Sequence, residues 1–138
     1  MGSSPTGPSN TFMLSTQVTQ ASIEEAKART SSHDLAHDIN HARRTAENSV
    51  LIGKKLNYRD LQLLHLAGWW HDVSRNRSHN HEKDGAIEAR DDALGRGVNK
   101  ENSHIIYEAI RYHKWSMTPR TIEGNIIRDA DKLDFISI

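Results

Sequence analysis

The feature that most constrains this chain is the spacing of its apolar residues, which recur every three or four positions through most of the sequence. The last such set is Ile122, Ile126, Ile127, Ala130 and Leu133. This spacing places the apolar side chains on one face of an α-helix. A strand would alternate with a period of two, and no segment shows that alternation. The sequence therefore predicts an all-α fold.

Polar or glycine-containing breaks divide this pattern into about five to six helices, which we expect to form a single bundle. We place them at about 12–29, from Ser32 to an end marked by Gly53 and Asn57, from Tyr58 or Arg59 to Trp70, at about 81–95 and 100–114, and from Pro119 onward. A length of 138 residues suits one domain, here 12–138. Residues 1–11 are rich in Ser, Thr, Pro and Gly, and predict a disordered lead-in.

Composition restricts the chemistry that such a bundle supports. The chain has no cysteine and nine histidines, so any metal must be held by nitrogen and oxygen. Its 18 basic and 18 acidic residues balance, which argues against nucleic acid or a membrane surface as a partner. No stretch reaches the roughly 20 apolar residues of a membrane span, and no secretory signal is visible. We therefore expect a cytoplasmic protein, with the oligomeric state, a homodimer included, left open.

Ionisable residues occur at positions where the helical pattern calls for core residues. His41 lies within an apolar helix, His71 and Asp72 end another, and Asp131 is flanked by core-type residues in a third. A carboxylate among core positions is costly unless a cation or several donors meet it. Each residue alone has an ordinary structural explanation, such as a buried histidine bonded to a carbonyl. One divalent ion that binds all four would satisfy them together.

The surrounding segments resemble the HD-domain superfamily of metal-dependent phosphohydrolases. The similarity lies in five segments that occur in the family's order. They are DINHARR at 38–44, LAGWWHDV at 66–73, HEKDGA at 81–86, AIRYH at 109–113 and RDADKLD at 128–134. A His-Asp dipeptide alone would carry no weight, whereas the ordered set spans most of the chain. Small nucleotide pyrophosphohydrolases of this superfamily look most similar, although such proteins usually continue well beyond the last aspartate. We therefore expect a shortened chain or an open pocket.

The resemblance implies a metal site and names its ligands. His41, His71, Asp72 and Asp131 match the family's ligands, with His33 and His37 as rivals of His41. A second set of residues matches positions that bind a second metal or the substrate, namely His81 and His113. Nitrogen and oxygen ligands suit Mn²⁺, Fe²⁺, Co²⁺, Ni²⁺, Zn²⁺ or Mg²⁺.

The same resemblance implies that the ion hydrolyses a phosphate ester or anhydride, with a nucleotide as the expected substrate. A phosphate needs further positive charge, for which Lys132 and Arg75 are the candidates. Asp129 and Glu82 are candidates for orienting a histidine or the attacking water. Two alternatives remain open. They are a di-iron oxygenase that uses His81 and His113, and a metal-binding module without turnover.

Overall fold

The computed structural model describes residues 13–30, 35–75 and 79–136, with only the backbone described at 35–38. The expected lead-in at 1–11 lies outside these ranges. Within them the chain forms six α-helices and no strand, which confirms the all-α prediction. The helices are α1 Thr16–Thr30, α2 Leu35–Lys55, α3 Leu61–Trp70, α4 His81–Gly95, α5 Lys100–Arg111 and α6 Ile122–Ile136.

Short polar side chains fix where several helices begin. The side chains of Asp60, Asn80 and Asn99 cap α3, α4 and α5 by accepting backbone N–H groups of the first turn. Helix α6 begins at Ile122 rather than near Pro119, because the Thr121 hydroxyl accepts the N–H of Gly124 at 3.0 Å. Helix α5 ends at Arg111, three residues before the predicted end, so His113 lies in the following loop.

Helix α3 is the centre of the bundle. It packs against all five other helices, and seven of its ten residues are buried. Trp69 and Trp70 are 4% and 0% exposed and belong to the core. The indole N–H of Trp70 donates to the hydroxyl of Ser22 at 2.9 Å, which ties α1 to α3. None of the described helices combines the length and the apolarity that a membrane crossing needs.

Helices α2 and α3 approach until their backbones touch. A Cβ on Gly68 would lie 2.6 Å from Cα of Ala46, closer than real Cβ contacts come. The hydroxyl of Ser49 on α2 lies 2.7 Å from the carbonyl oxygen of Ala46 and 3.1 Å from that of Leu64 on α3, so its one proton is shared between the two helices. Glycine at position 68 therefore sets the spacing between the helix that carries His41 and the helix that ends at His71.

Candidate metal centre

The structure brings together side chains from three helix segments. His41 comes from α2, His71 follows the end of α3, and Asp131 comes from α6. The Nε2 atom of His41 lies 2.8 Å from Oδ1 of Asp131 and 3.2 Å from Nε2 of His71. Nε2 of His71 lies 3.4 Å from the same Asp131 oxygen. The three donor atoms therefore form a compact triangle.

Asp72 adds a fourth oxygen next to this triangle. Its Oδ2 lies 3.5 Å from Nε2 of His71 and 3.7 Å from Nε2 of His41. Two ligands at right angles around an ion, each about 2.1 Å from it, lie about 3 Å apart. The separations within the triangle are close to that value, so His41, His71 and Asp131 fit a single first-row divalent ion, and Asp72 lies slightly farther from both histidines.

Both histidine rings are turned so that Nε2 faces the cluster. Nδ1 of His71 lies 2.7 Å from the carbonyl oxygen of Gly68, a contact in which the ring N–H donates. Nδ1 of His41 lies 2.7 Å from Oδ2 of Asp134. Metal-binding histidines usually give their other N–H to a carbonyl or carboxylate in this way, which leaves Nε2 as the ligand atom.

Asp134 is the partner of His41 that the sequence reasoning missed. Arg44 donates from Nε to one oxygen of Asp134 and from Nη2 to the other, at 3.2 Å for the second contact. The pKa of Asp134 is lowered: burial opposes the shift, but hydrogen bonds from Arg44 and His41 outweigh it. A usable indication was present in the sequence, because residues three apart on a helix share a face and Asp134 follows Asp131 by three.

The same helix geometry separates two predicted residues from the centre. Each step along a helix turns about 100°, so Asp129 and Lys132 point away from the face that carries Asp131. Both are exposed, and both line a separate groove of about 350 Å³ with Ile52, Leu133 and Ile136. The structure thus does not bring Asp129 to a histidine of the centre, and Asp134 makes that contact instead. Nζ of Lys132 lies 5.9 Å from the centroid of the Trp115 ring.

His113 belongs to a second donor group that shares two side chains with the first. It is 3% exposed, and its Nδ1 lies 2.6 Å from the carbonyl oxygen of Ile110. Its Nε2 lies 3.9 Å from Oδ1 of Asp72, the oxygen not turned towards His41. Ligand atoms of His71, Asp72 and His113 all lie within 4.8 Å of one another. Because Nδ1 of His71 donates to Gly68, its Nε2 can bind only one ion, so a second cation beside Asp72 would have Asp72 and His113 as its ligands in this group.

The buried charges shift the pKa values of these groups. Burial disfavours the charged form of His71, but the negative charge of Asp72 and a hydrogen bond to Asp131 raise its pKa to about 9. Burial likewise opposes ionisation of Asp131, yet hydrogen bonds from His41 and His71 lower its pKa. Burial and the positive charge of His71 lower the pKa of His113. The metal-free centre therefore holds a proton on His71, where a cation would otherwise offset the carboxylates.

A cavity of about 390 Å³ opens from the centre to solvent. Its lining consists of Asp72, Arg75, His81, Glu82, His113, Lys114, Trp115, Ser116, Asp131 and Phe135. Of the remaining predicted residues, Arg75, His81 and Glu82 are thus at the cavity wall. Lys114, a cation here that the sequence did not favour, directly follows His113. Of the rivals of His41, His33 and the side chain of His37 lie outside the described part of the chain.

Comparison with known proteins identifies the family of this chain. A sequence model of the HD domain matches residues 38–136. The chain is 31% identical to the uncharacterized protein YpgQ of Bacillus subtilis strain 168 over 106 residues, which are 72% of this chain. That match spans 51% of YpgQ, about half its length.

A solved structure also resembles this chain. It is the 1.45 Å crystal structure of a predicted HD superfamily hydrolase from an uncultured Thermotogales bacterium. The two chains superpose with a TM-score of 0.70 and share 30% sequence identity. The similarity covers 86% of this chain and 66% of the other, so the other protein again extends beyond the shared part.

Proposed function

This chain belongs to the HD-domain family, and from that premise we propose that it is a metal-dependent phosphohydrolase acting on a phosphate ester or anhydride of a nucleotide. The observation that carries the proposal is the common orientation of the histidines. His41 and His71 each anchor Nδ1 on an oxygen, and each turns Nε2 towards Asp131. Such an arrangement suits a cation that needs preoriented nitrogen and oxygen ligands.

The cavity wall supplies charges that fit a phosphoryl group. When bound, a divalent ion at this centre supplies a Lewis acid that activates water and offsets charge on the phosphoryl oxygens. Arg75 and Lys114 line the same cavity as Asp72 and Asp131. Their side chains are in a position to bind the phosphoryl oxygens that face away from the carboxylates. Nη1 of Arg75 also lies 3.5 Å from Oδ2 of Asp72, so a phosphate bound by Arg75 would lie next to the metal centre.

A histidine–carboxylate pair on the same wall fits the proton transfers that hydrolysis requires. Oε2 of Glu82 lies 2.7 Å from Nε2 of His81, and both residues line the cavity. Glu82 is 7% exposed and occupies the first turn of α4, where the helix dipole stabilises a carboxylate. We assign to this pair the uptake of a proton from the attacking water and its delivery to the leaving oxygen.

A substrate panel tests the proposal. Nucleoside triphosphates, nucleoside monophosphates and simple phosphoesters are incubated with the protein and Mn²⁺, Co²⁺, Ni²⁺ or Mg²⁺, and released phosphate and pyrophosphate are measured. The Asp72→Ala variant should lose activity, whereas Asp91→Ala, which removes a carboxylate that is 60% exposed on α4, should keep it. A folded protein that binds metal but hydrolyses nothing with any ion would refute the proposal and leave a binding module.

The second donor group makes the number of ions a separate question. Asp72 and His113 lie next to the first group and are candidate ligands for a second ion, an arrangement that hydrolases and oxygenases both use, while Nε2 of His71 is available to one ion only. Metal content per chain, measured on protein purified without chelators, separates the cases. One ion, or two redox-inert ions, agrees with hydrolysis. Two irons per chain with visible absorption after exposure to air would favour the oxygenase instead.

A further inference from the structure

Two large aromatic side chains form an exposed corner at the wall of the metal cavity. Trp115 is 50% exposed and Phe135 is 48% exposed, and both line the cavity. Their ring centroids lie 5.6 Å apart with the rings nearly perpendicular, at 88°. We call this pair the aromatic corner. The other two tryptophans, Trp69 and Trp70, are buried in the core.

The aromatic corner begins directly beside the metal centre. The ring of Phe135 lies 5.1 Å, between centroids, from the ring of His41. Trp115 follows His113 by two residues in the loop after α5. A ligand with a charged group at the centre would therefore have these aromatic faces as its next neighbours. Aromatic surface left in contact with water favours a flat apolar partner.

The charged residues of the cavity also favour a ligand that carries phosphate. Lys114 and Arg75 line the cavity. The cavity thus combines cations and candidate metal ligands in one part with apolar aromatic surface in another. A volume of about 390 Å³ is within the range of about 300–1,000 Å³ that small-molecule sites occupy. This composition fits a ligand that has phosphate at one end and a flat ring at the other.

We propose that the aromatic corner is the subsite for the base of a nucleotide, with Trp115 as the residue that stacks on it. The inference rests on the proposed function, since it uses the same cavity. Stacking uses the face of a base rather than its hydrogen-bonding edge, so it accepts every base. The corner therefore selects nucleotides over phosphates without a ring, while discriminating little among bases.

Enzyme kinetics with two substrates test this subsite. The metal-loaded protein is assayed with adenosine triphosphate and with inorganic tripolyphosphate, which carries the phosphates without a ring. Trp115→Ala should raise KM for adenosine triphosphate about tenfold with little change in kcat, because stacking binds ground and transition state alike. Trp115→Phe should retain most of the affinity. KM for tripolyphosphate should stay unchanged in both variants, and Leu51→Ala, at a 57% exposed site on α2, should alter neither substrate.

Fluorescence gives a second measurement that needs no turnover. Because Trp69 and Trp70 are buried, stacking of a base should quench the emission of Trp115 alone. Titration with adenosine monophosphate should quench the wild-type protein, and the quenching should disappear in Trp115→Phe. Two results would overturn the subsite: no quenching in the wild-type protein, or an equal increase in KM for adenosine triphosphate and tripolyphosphate in Trp115→Ala. If quenching occurs but no substrate is hydrolysed, the proposed function fails while the subsite stands.

Discussion

Asp134 accepts a hydrogen bond from Nδ1 of His41 at 2.7 Å, on the side of the ring opposite the metal centre. Arg44 binds both oxygens of the same carboxylate, so the position of His41 depends on a pair of residues that do not themselves reach the centre. A carboxylate in this position fixes the ring orientation and raises the basicity of the ligand nitrogen.

Removal of this carboxylate should weaken metal binding. We expect Asp134→Ala to lower the affinity for Mn²⁺ or Co²⁺ about 10- to 100-fold, because His41 loses the bond that aims its Nε2. Competition with a chelator of known affinity measures the effect. Asp91→Ala, the surface carboxylate control, should bind metal as the wild type does. Equal affinities in Asp134→Ala and wild type would show that His41 is positioned by packing alone.

The close crossing of α2 and α3 makes Gly68 sensitive to one added methyl group. In Gly68→Ala the new Cβ would meet backbone atoms of Ala46 at 2.6 and 2.9 Å, so the helices must move apart. We expect a loss of about 1–3 kcal/mol in the free energy of unfolding, together with weaker metal binding because His41 and His71 separate. Urea denaturation of the metal-free protein measures the first effect.

Gly95 provides the control for that substitution. A Cβ at Gly95 would have nothing within 4 Å, so Gly95→Ala removes a glycine from a helix without adding a clash. Its stability should be unchanged or slightly higher, since alanine is the better helix former. If both alanine variants unfold at the same urea concentration as the wild type, the helix crossing is more adaptable than its geometry indicates.

Metal binding should depend on pH through His71. Because its pKa is raised to about 9 in the metal-free protein, His71 is protonated at pH 7 and must release that proton to bind an ion. The affinity should therefore rise nearly tenfold per pH unit between pH 6.5 and 8. Calorimetry in two buffers with different ionisation enthalpies should detect close to one proton released per ion, and a pH-independent affinity would contradict the assignment.

The stability of the metal-free protein should change with pH in the opposite sense. A raised pKa means that His71 stabilises the fold fully below about pH 6.5 and loses this contribution as pH rises through about 9. The pKa values of Asp72 and Asp131 are lowered, so their contributions are present above about pH 4 and vanish on acidification. Thermal unfolding followed across this range should show greatest stability between the two limits.

The cavity cations predict an order of effects on substrate binding. Arg75→Ala and Lys114→Ala should each raise KM for a nucleotide several-fold, because both side chains line the cavity. Lys132→Ala should change KM less, because Lys132 lines the separate groove. Steady-state kinetics at saturating metal compare the three variants. A larger effect at Lys132 than at Lys114 would mean that the loop after α5 rearranges when substrate binds.

The sequence could predict those residues of the centre whose charge conflicts with their position in an apolar helix. A carboxylate at a core position, as at Asp131, needs a cation, so the pattern pointed to the residues that the structure brings together. Helical periodicity explains why Asp134, rather than Asp129 or Lys132, lies beside His41, because these residues differ in their angle around α6.

Other features depend on distances that no local pattern contains. Trp115 and Phe135 meet only after the loop beyond α5 has folded against α6, so their corner was not visible in either segment alone. The start of α6 depended on the Thr121 hydroxyl rather than on Pro119. The role of Lys114 follows from the end of α5 at Arg111, which leaves Lys114 in a loop at the cavity instead of on a helix.

The bond between His41 and Asp134 joins positions 93 residues apart in the chain. An ion held at the same place by His41 and Asp131 would act as a reversible cross-link between α2 and α6. Binding of this kind adds about 4 kcal/mol to stability when the free ion is a thousand times more concentrated than its Kd. The lifetime of the folded protein, and its resistance to proteolysis, would then follow the supply of metal in its surroundings, and starvation for that metal would deplete the protein itself as well as its activity.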